Sequence, residues 1–258
     1  MRLSEKVVIV TGSTTGIGEA IARRAVAEGA KVLVHGRNRE RGEQVVASLG
    51  DAAALCVDDL ADPEASLRII EAALEAFGRL DVIVNNAASV ARSNLDSTDA
   101  AFFDKMMAIN VRAPMLLVRA ALPELKRSRG CVLNIGSINA YCGERNLLAY
   151  SISKGGLMTM SRNLADALGP AQVRVNHFNV GWVLSANEYK VKIDDGLPEN
   201  WPEQIPPHLA PAGRLIQPEE IAAAAVYWMS DESWPISGSV IELEQYPIVG
   251  RNPTKEGE

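Results

Sequence analysis

The chain has 258 residues, 47% of them hydrophobic, and a formal net charge of -6. That length suits one α/β domain or two small ones, with a substantial core. The acidic balance argues against nucleic-acid binding, and no apolar run approaches a membrane span. Three widely spaced cysteines (Cys56, Cys131, Cys142) fit a reducing cytoplasm better than a disulfide framework or zinc site.

The N-terminus runs straight into the first predicted strand, Val7–Val10, and is too short and unsuited for a signal peptide. The strand ends in Thr11-Gly12-Ser13-Thr14-Thr15-Gly16-Ile17-Gly18, and a helix is predicted near 17–28. A glycine-rich turn there lets backbone approach a pyrophosphate, and the helix N-terminus adds free N–H groups and partial positive charge. Three glycines can also serve tight turning alone, but their place after an apolar strand favours nucleotide binding. The spacing is Gly-x-x-x-Gly-x-Gly, not the Gly-x-Gly-x-x-Gly of the other common dinucleotide fingerprint.

The second strand, Val32–Val34, leads into Gly36-Arg37. A carboxylate at this point bonds an adenosine ribose 2′-hydroxyl, whereas an arginine accommodates a 2′-phosphate. Arg37 without a carboxylate therefore predicts NADP in preference to NAD, and aspartate at 36 is expected to shift the preference. Further strands follow at Ala53–Val57, Val82–Val84, Val132–Ile135, Val173–Phe178 and Val240–Leu243. Helices are expected near 39–48, 63–77, 99–127, 149–168 and 218–230. Several strands are continuously apolar, as in strands covered on both faces. The alternation predicts a doubly wound parallel sheet of about seven strands, flanked by helices with right-handed crossovers.

Residues 185–216 break this rhythm with five prolines among Tyr189 and Trp201. The segment follows a strand's C-terminal end, where α/β sheets bind ligands, and is expected to be a lid over the site. In the helix near 149–168, Tyr150 and Lys154 stand four apart, on the face of Leu157, Leu164 and Leu168, and should point inward. A nearby cation favours a phenolate, and a tyrosine so tuned can exchange a proton as an alcohol and a carbonyl interconvert. Alone, Tyr-x-x-x-Lys is common by chance.

Taken together, these residues resemble the short-chain dehydrogenase/reductase family from about Lys6 to Leu243. Asp59-Leu60 is similar to its adenine-contacting pair, and Asn85-Asn86-Ala87-Ala88 to its Asn-Asn-Ala-Gly. Asn110 in Ala-Ile-Asn-Val and Ser137 in Leu-Asn-Ile-Gly-Ser fall in the family's order. The resemblance implies a catalytic tetrad of Asn110, Ser137, Tyr150 and Lys154. Tyr150 is expected to move the proton, Ser137 to hold the reacting oxygen, Lys154 to lower the tyrosine pKa and bond the nicotinamide ribose, and Asn110 to position a relay water. It also implies cofactor contacts at Gly12, Thr14, Thr15, Gly16, Ile17, Gly18, Arg37, Asp59, Leu60, Asn86, Ala87, Tyr150, Lys154, Val183 and Ser185. Two departures stand out. Val180-Gly181 replaces the usual Pro-Gly, and the last strand runs through Leu243-Glu244-Gln245-Tyr246 into a tail, 244–258, instead of Val-Asp-Gly-Gly. A homotetramer is implied, with that tail near a neighbour's substrate entrance.

The segments expected on the substrate side are polar. Arg92 and Arg145 are candidate anion contacts, Asn139 a polar contact, and Trp182 and Trp201 candidate stacking surfaces. The expected substrate is a polar secondary alcohol or its carbonyl: a sugar, polyol or small hydroxy or keto acid. Alternatives are an NAD-dependent sugar dehydrogenase, a reductase of acyl-chain 3-oxo groups, or a non-catalytic dinucleotide sensor. No metal site, nucleic-acid partner or membrane partner is expected.

Overall fold

Strand β1 (Val7–Val10) is wholly buried, and so are its parallel neighbours β2 (Lys31–Gly36, apart from Lys31) and β4 (Val82–Asn85). Side chains apolar on both faces need cover on both faces, so helices must lie on each side. The computed structural model describes residues 1–249. They form a seven-stranded parallel sheet in the order β3-β2-β1-β4-β5-β6-β7, with β3 at Ala53–Val57, β5 at Cys131–Ile135, β6 at Arg174–Val180 and β7 at Val240–Leu243. The order reverses beside β1, which opens a crevice at the strands' C-terminal ends.

Helices α1 (Gly16–Ala27), α2 (Arg39–Leu49) and α8 (Pro218–Met229) belong to one side. Their buried residues Ile21, Val45 and Val226 share a cluster with Val8, Val10 and Leu133. Helices α3 (Ala65–Phe77), α5 (Ala113–Ser128) and α6 (Leu148–Leu168) cover the other side, where Ile69, Leu117 and Leu168 pack with Ile9 and Ile83.

The single helix expected over 99–127 is divided. Helix α4 (Ala100–Met107) passes through a π turn, Ala108–Arg112, before α5 begins. Pro114 accounts for this: it has no N–H to give the Asn110 carbonyl four residues back, so the ladder must widen. The 185–216 segment is also less irregular than expected. It contains helix α7 (Ala186–Asp194), whose first turn is capped when Ser185 Oγ accepts the Glu188 N–H at 3.1 Å. Among the described residues no helix is long and apolar enough to cross a membrane.

Three of the asparagines inside the strands, Asn85, Asn134 and Asn179, belong to one polar relay through the sheet. Asn85 Nδ2 donates to Asn134 Oδ1 at 2.8 Å, and Asn134 Nδ2 donates to Ser161 Oγ at 2.8 Å. Ser161 Oγ meets His177 Nδ1 at 2.9 Å, and His177 Nε2 meets Asn179 Oδ1 at 2.9 Å. Each buried polar group thereby finds a partner.

Candidate active site

The glycine-rich turn is built for close backbone approach. Gly12 and Gly16 have φ of +65° and +59°, which suit glycine. A Cβ on Gly12 would stand 2.9 Å from Ala87 Cα, so the turn packs directly on the segment after β4. Asn86 secures it: its Nδ2 donates to the Thr11 carbonyl at 2.8 Å and the Gly12 carbonyl at 3.1 Å. Those bonds make Asn86 a support for the turn. Thr15, the N-cap of α1, makes no side-chain cap bond, so the first-turn N–H groups remain for a ligand. The turn, the crevice and this helix end fit a dinucleotide.

Two cavities flank the turn. One, about 390 Å³, is lined by Thr14, Thr15, Arg23, Arg41 and Lys190. Arg41, on the first turn of α2, escaped the sequence reading; its signal was the run Arg37-Asn-Arg39-Glu-Arg41, whose third arginine lies one helical turn after the first. Arg37 itself is exposed at the end of β2 and lies 3.9 Å from Asp59. Leu60 is buried in the core beneath. Gly36 faces Thr14 so closely that a Cβ would stand 2.6 Å from its Cγ2. Aspartate at 36 is therefore not a clean probe of cofactor choice, because Thr14 must first be cut back.

The second cavity, about 440 Å³, joins the nucleotide end to the expected chemistry. Ile17, Val183 and Ser185 line it together with Ser137 and Tyr150. Val183 is held by a bridge to Ile216, and Ser185 sits 3.4 Å from where a Gly16 Cβ would be. Tyr150 is half-buried and Lys154 buried, on the first two turns of α6. Burial pushes the Tyr150 phenol above its usual range; a hydrogen bond with Ser137 opposes this, and the Glu188 carboxylate adds to it.

The Lys154 ammonium is directed away from the phenol. Lys154 Nζ donates to the Ile135 carbonyl at 2.8 Å and lies 5.7 Å from the Tyr150 ring centroid. Burial brings the ammonium itself down to about 8, so its charge is weakly held. The Asn110 side chain is engaged by protein partners. Its Oδ1 accepts the Ser89 N–H at 2.7 Å, and its Nδ2 donates to the Ser89 carbonyl at 3.0 Å and Ser153 Oγ at 2.9 Å. The side chain clamps the post-β4 segment to α6 and does not line the cavity.

On the substrate side, Asn139, Arg92 and Trp182 line the same cavity, and Arg145 does not: it is exposed on the loop before α6. Arg92 pairs with Asp195 at 2.8 Å, tying the post-β4 loop to the end of α7. Trp182 stacks on Trp201 at 5.7 Å and carries Lys192 Nζ 5.2 Å from its centroid, and Trp201 in turn stacks on Tyr189 at 6.2 Å. These tryptophans pack the segment together and do not offer open faces for stacking on a sugar. Glu188 and Glu244 line the cavity and escaped the sequence reading. Ser185-Ala-Asn-Glu188 carries a helix-start spacing that would have found the first. Among the described residues no group of His, Cys, Asp or Glu is gathered to hold a metal.

Residues 12–244 match the family described as enoyl-(acyl carrier protein) reductase. An NADP-dependent (R)-specific alcohol dehydrogenase from Lentilactobacillus kefiri is 33% identical, the match covering 90% of this chain and 92% of the relative. Dehydrogenase/reductase SDR family member 4 from Homo sapiens is 32% identical over 93% of this chain and 86% of its own. The crystal structure of a 3-ketoacyl-(acyl-carrier-protein) reductase from Brucella melitensis complexed with NADH aligns with a TM-score of 0.82 at 30% identity, covering 93% of this chain and 97% of that one. Likeness in sequence and in fold across almost its whole length places this protein in the short-chain dehydrogenase/reductase family.

Proposed function

We propose that the protein is an NAD(P)-dependent oxidoreductase, with NADP preferred, that interconverts a polar secondary alcohol and its carbonyl. One observation carries this reading: Tyr150 and Ser137 share a cavity with Ile17, Val183 and Ser185, which reach in from the nucleotide end. The bound nicotinamide supplies or accepts the hydride. The backbone of Gly12–Gly18 and the start of α1 hold the pyrophosphate. Arg37 and Arg41 hold a 2′-phosphate, and Asp59 and Leu60 border the adenine. Ser137 donates a hydrogen bond to the reacting oxygen, and Tyr150, a neutral phenol by virtue of its burial, gives that oxygen its proton in the reducing direction. Lys154 orients the ribose, and Asn110 acts at one remove by fixing Ser89 and Ser153.

Residues 185–216 serve as a lid over this cavity. The protein works in the cytoplasm, as its free Cys56, Cys131 and Cys142 suggest, and assembles as a homotetramer. Exposed Met115 and Ile152 on the α5 and α6 surfaces support that assembly. The expected meeting of the tail with a neighbour concerns residues that lie largely outside those described. A reductase of carrier-bound 3-oxo acyl chains is the second reading, favoured by the likeness to the Brucella reductase. A screen of alcohols and carbonyls with both nicotinamides tests the proposal. Turnover is expected with polar substrates and faster with NADP. Activity only on bulky apolar ketones, or only on carrier-bound acyl chains, would reject it.

A further inference from the structure

The cations in the Tyr150 cavity are already matched. Arg92 pairs with Asp195 at 2.8 Å, and Lys192 lies 3.9 Å from Glu188. Two further carboxylates of the lining, Glu144 and Glu244, have no cation within ion-pairing distance among the described residues. The cavity therefore faces a ligand with unmatched negative charge.

Glu244 is fixed in that position. It follows β7 directly, and its Oε2 accepts the Trp182 N–H at 2.9 Å while its Oε1 accepts the Gln245 N–H at 2.7 Å. A Cβ on Gly181 would stand 1.9 Å from Oε2, so the carboxylate fills the space that only a glycine leaves. A carboxylate accepts about four hydrogen bonds. Two are used by backbone, and the remainder have no partner among the described residues.

We propose that Glu244 is a specificity residue that accepts a hydrogen bond from a substrate hydroxyl, and that the substrate is an uncharged vicinal diol, polyol or sugar. A hydroxy or keto acid would bring a second anion beside Glu244 and Glu144, with no free cation among the described residues of the lining to meet it. The anion contacts expected of Arg92 and Arg145 do not supply one: the first is neutralised by Asp195 and the second lies off the cavity. This inference rests on the oxidoreductase reading and narrows its substrate class.

The test compares kcat/KM for butane-2,3-diol, erythritol, inositol and glucose with 3-hydroxybutyrate, gluconate and 3-aminobutan-2-ol. It uses the wild type and Glu244→Gln, with NADPH affinity followed by fluorescence. A neutral polyol is expected to exceed both acids by roughly tenfold or more. Glu244→Gln keeps an acceptor for Trp182 N–H but loses the charge, so it should narrow that ratio about tenfold and leave NADPH affinity unchanged; a merely structural role would not move the ratio. Acids used as well as polyols, a ratio unaltered by Glu244→Gln, or preference for the amino alcohol overturns the proposal and leaves the oxidoreductase reading standing. No turnover of any compound by protein that binds NADPH overturns both.

Discussion

The Lys154 ammonium lies one helical turn from the Tyr150 ring, 5.7 Å from its centroid, yet gives its hydrogen bond to the Ile135 carbonyl. The phenol is left to its buried setting, with Ser137 as its hydrogen-bond partner. On the proposed reading, proton transfer runs through the Tyr150 oxygen. Tyr150→Phe keeps the ring and removes that oxygen. Turnover should fall by about three orders of magnitude, with cofactor affinity nearly intact by fluorescence titration. Activity within a few-fold of wild type would end the mechanism.

Glu188 disfavours the Tyr150 phenolate, because a like charge opposes ionisation. Alcohol oxidation needs the phenolate and should rise toward alkaline pH, while carbonyl reduction needs the phenol and should decline over the same range. Glu188→Gln removes the opposing charge and should move both limbs to lower pH. Profiles of kcat/KM in the two directions check this; an upward move contradicts it.

Cofactor choice should depend on Arg37 and Arg41. A hydrogen bond to a charged group contributes about 1.5–3 kcal/mol, so Arg37→Ala should lower kcat/KM with NADP by about ten- to a hundredfold and leave NAD nearly unchanged. Arg41→Ala should act in the same direction. Equal losses with both cofactors would show that these arginines do not read the 2′-phosphate. A Gly36→Asp exchange becomes informative only with Thr14→Ala, given the 2.6 Å approach of a residue-36 Cβ to Thr14.

Two contacts hold the 185–216 segment, and their strengths differ. The Arg92–Asp195 pair is about one-third exposed on each side, so water screens it and its net worth is under about 1 kcal/mol. Trp201 is 3% exposed between Trp182, Tyr189 and Leu215, and removing such a ring costs about 3–5 kcal/mol. Trp201→Ala should therefore raise substrate KM far more than Arg92→Ala, with proteolysis inside 185–216 as a second readout.

Acid should destabilise the fold through two buried imidazoles. Burial holds His35 and His177 down to about 4. Between that value and the ordinary 6.5, the unfolded chain binds a proton that the folded one does not, so stability is full above 6.5 and declines as pH falls. At pH 5 the loss is about 2 kcal/mol for each histidine. Denaturant midpoints at pH 7.5 and 5 measure it, and His177→Gln should halve the difference.

The sheet was legible because strands buried on both faces must be written in Val, Ile and Leu, and all seven predicted strands fall on observed ones. Tyr150, Ser137 and the glycine turn were legible because chain order and spacing carry them. Glu188 was half legible, since Ser185-x-x-Glu188 marks a helix start but not what that helix faces; Glu244 was not, because the path of the residues just past β7 depends on tertiary packing. The acceptor that Lys154 takes, the Ile135 carbonyl, was not legible, because spacing on a helix places two groups near each other but does not say which acceptor the ammonium prefers.

Pro114 lines neither cavity beside the glycine turn, yet it dictates where Asn110 can reach. Alanine in its place would restore the missing N–H and let the backbone ladder close. The surplus residue of the π turn would then be taken up elsewhere, turning Asn110 by as much as about 100° around the axis. Ser89 and Ser153 would lose the amide that joins them. The join between the segment after β4 and α6 thus depends on an imino acid one turn further along the chain from Asn110.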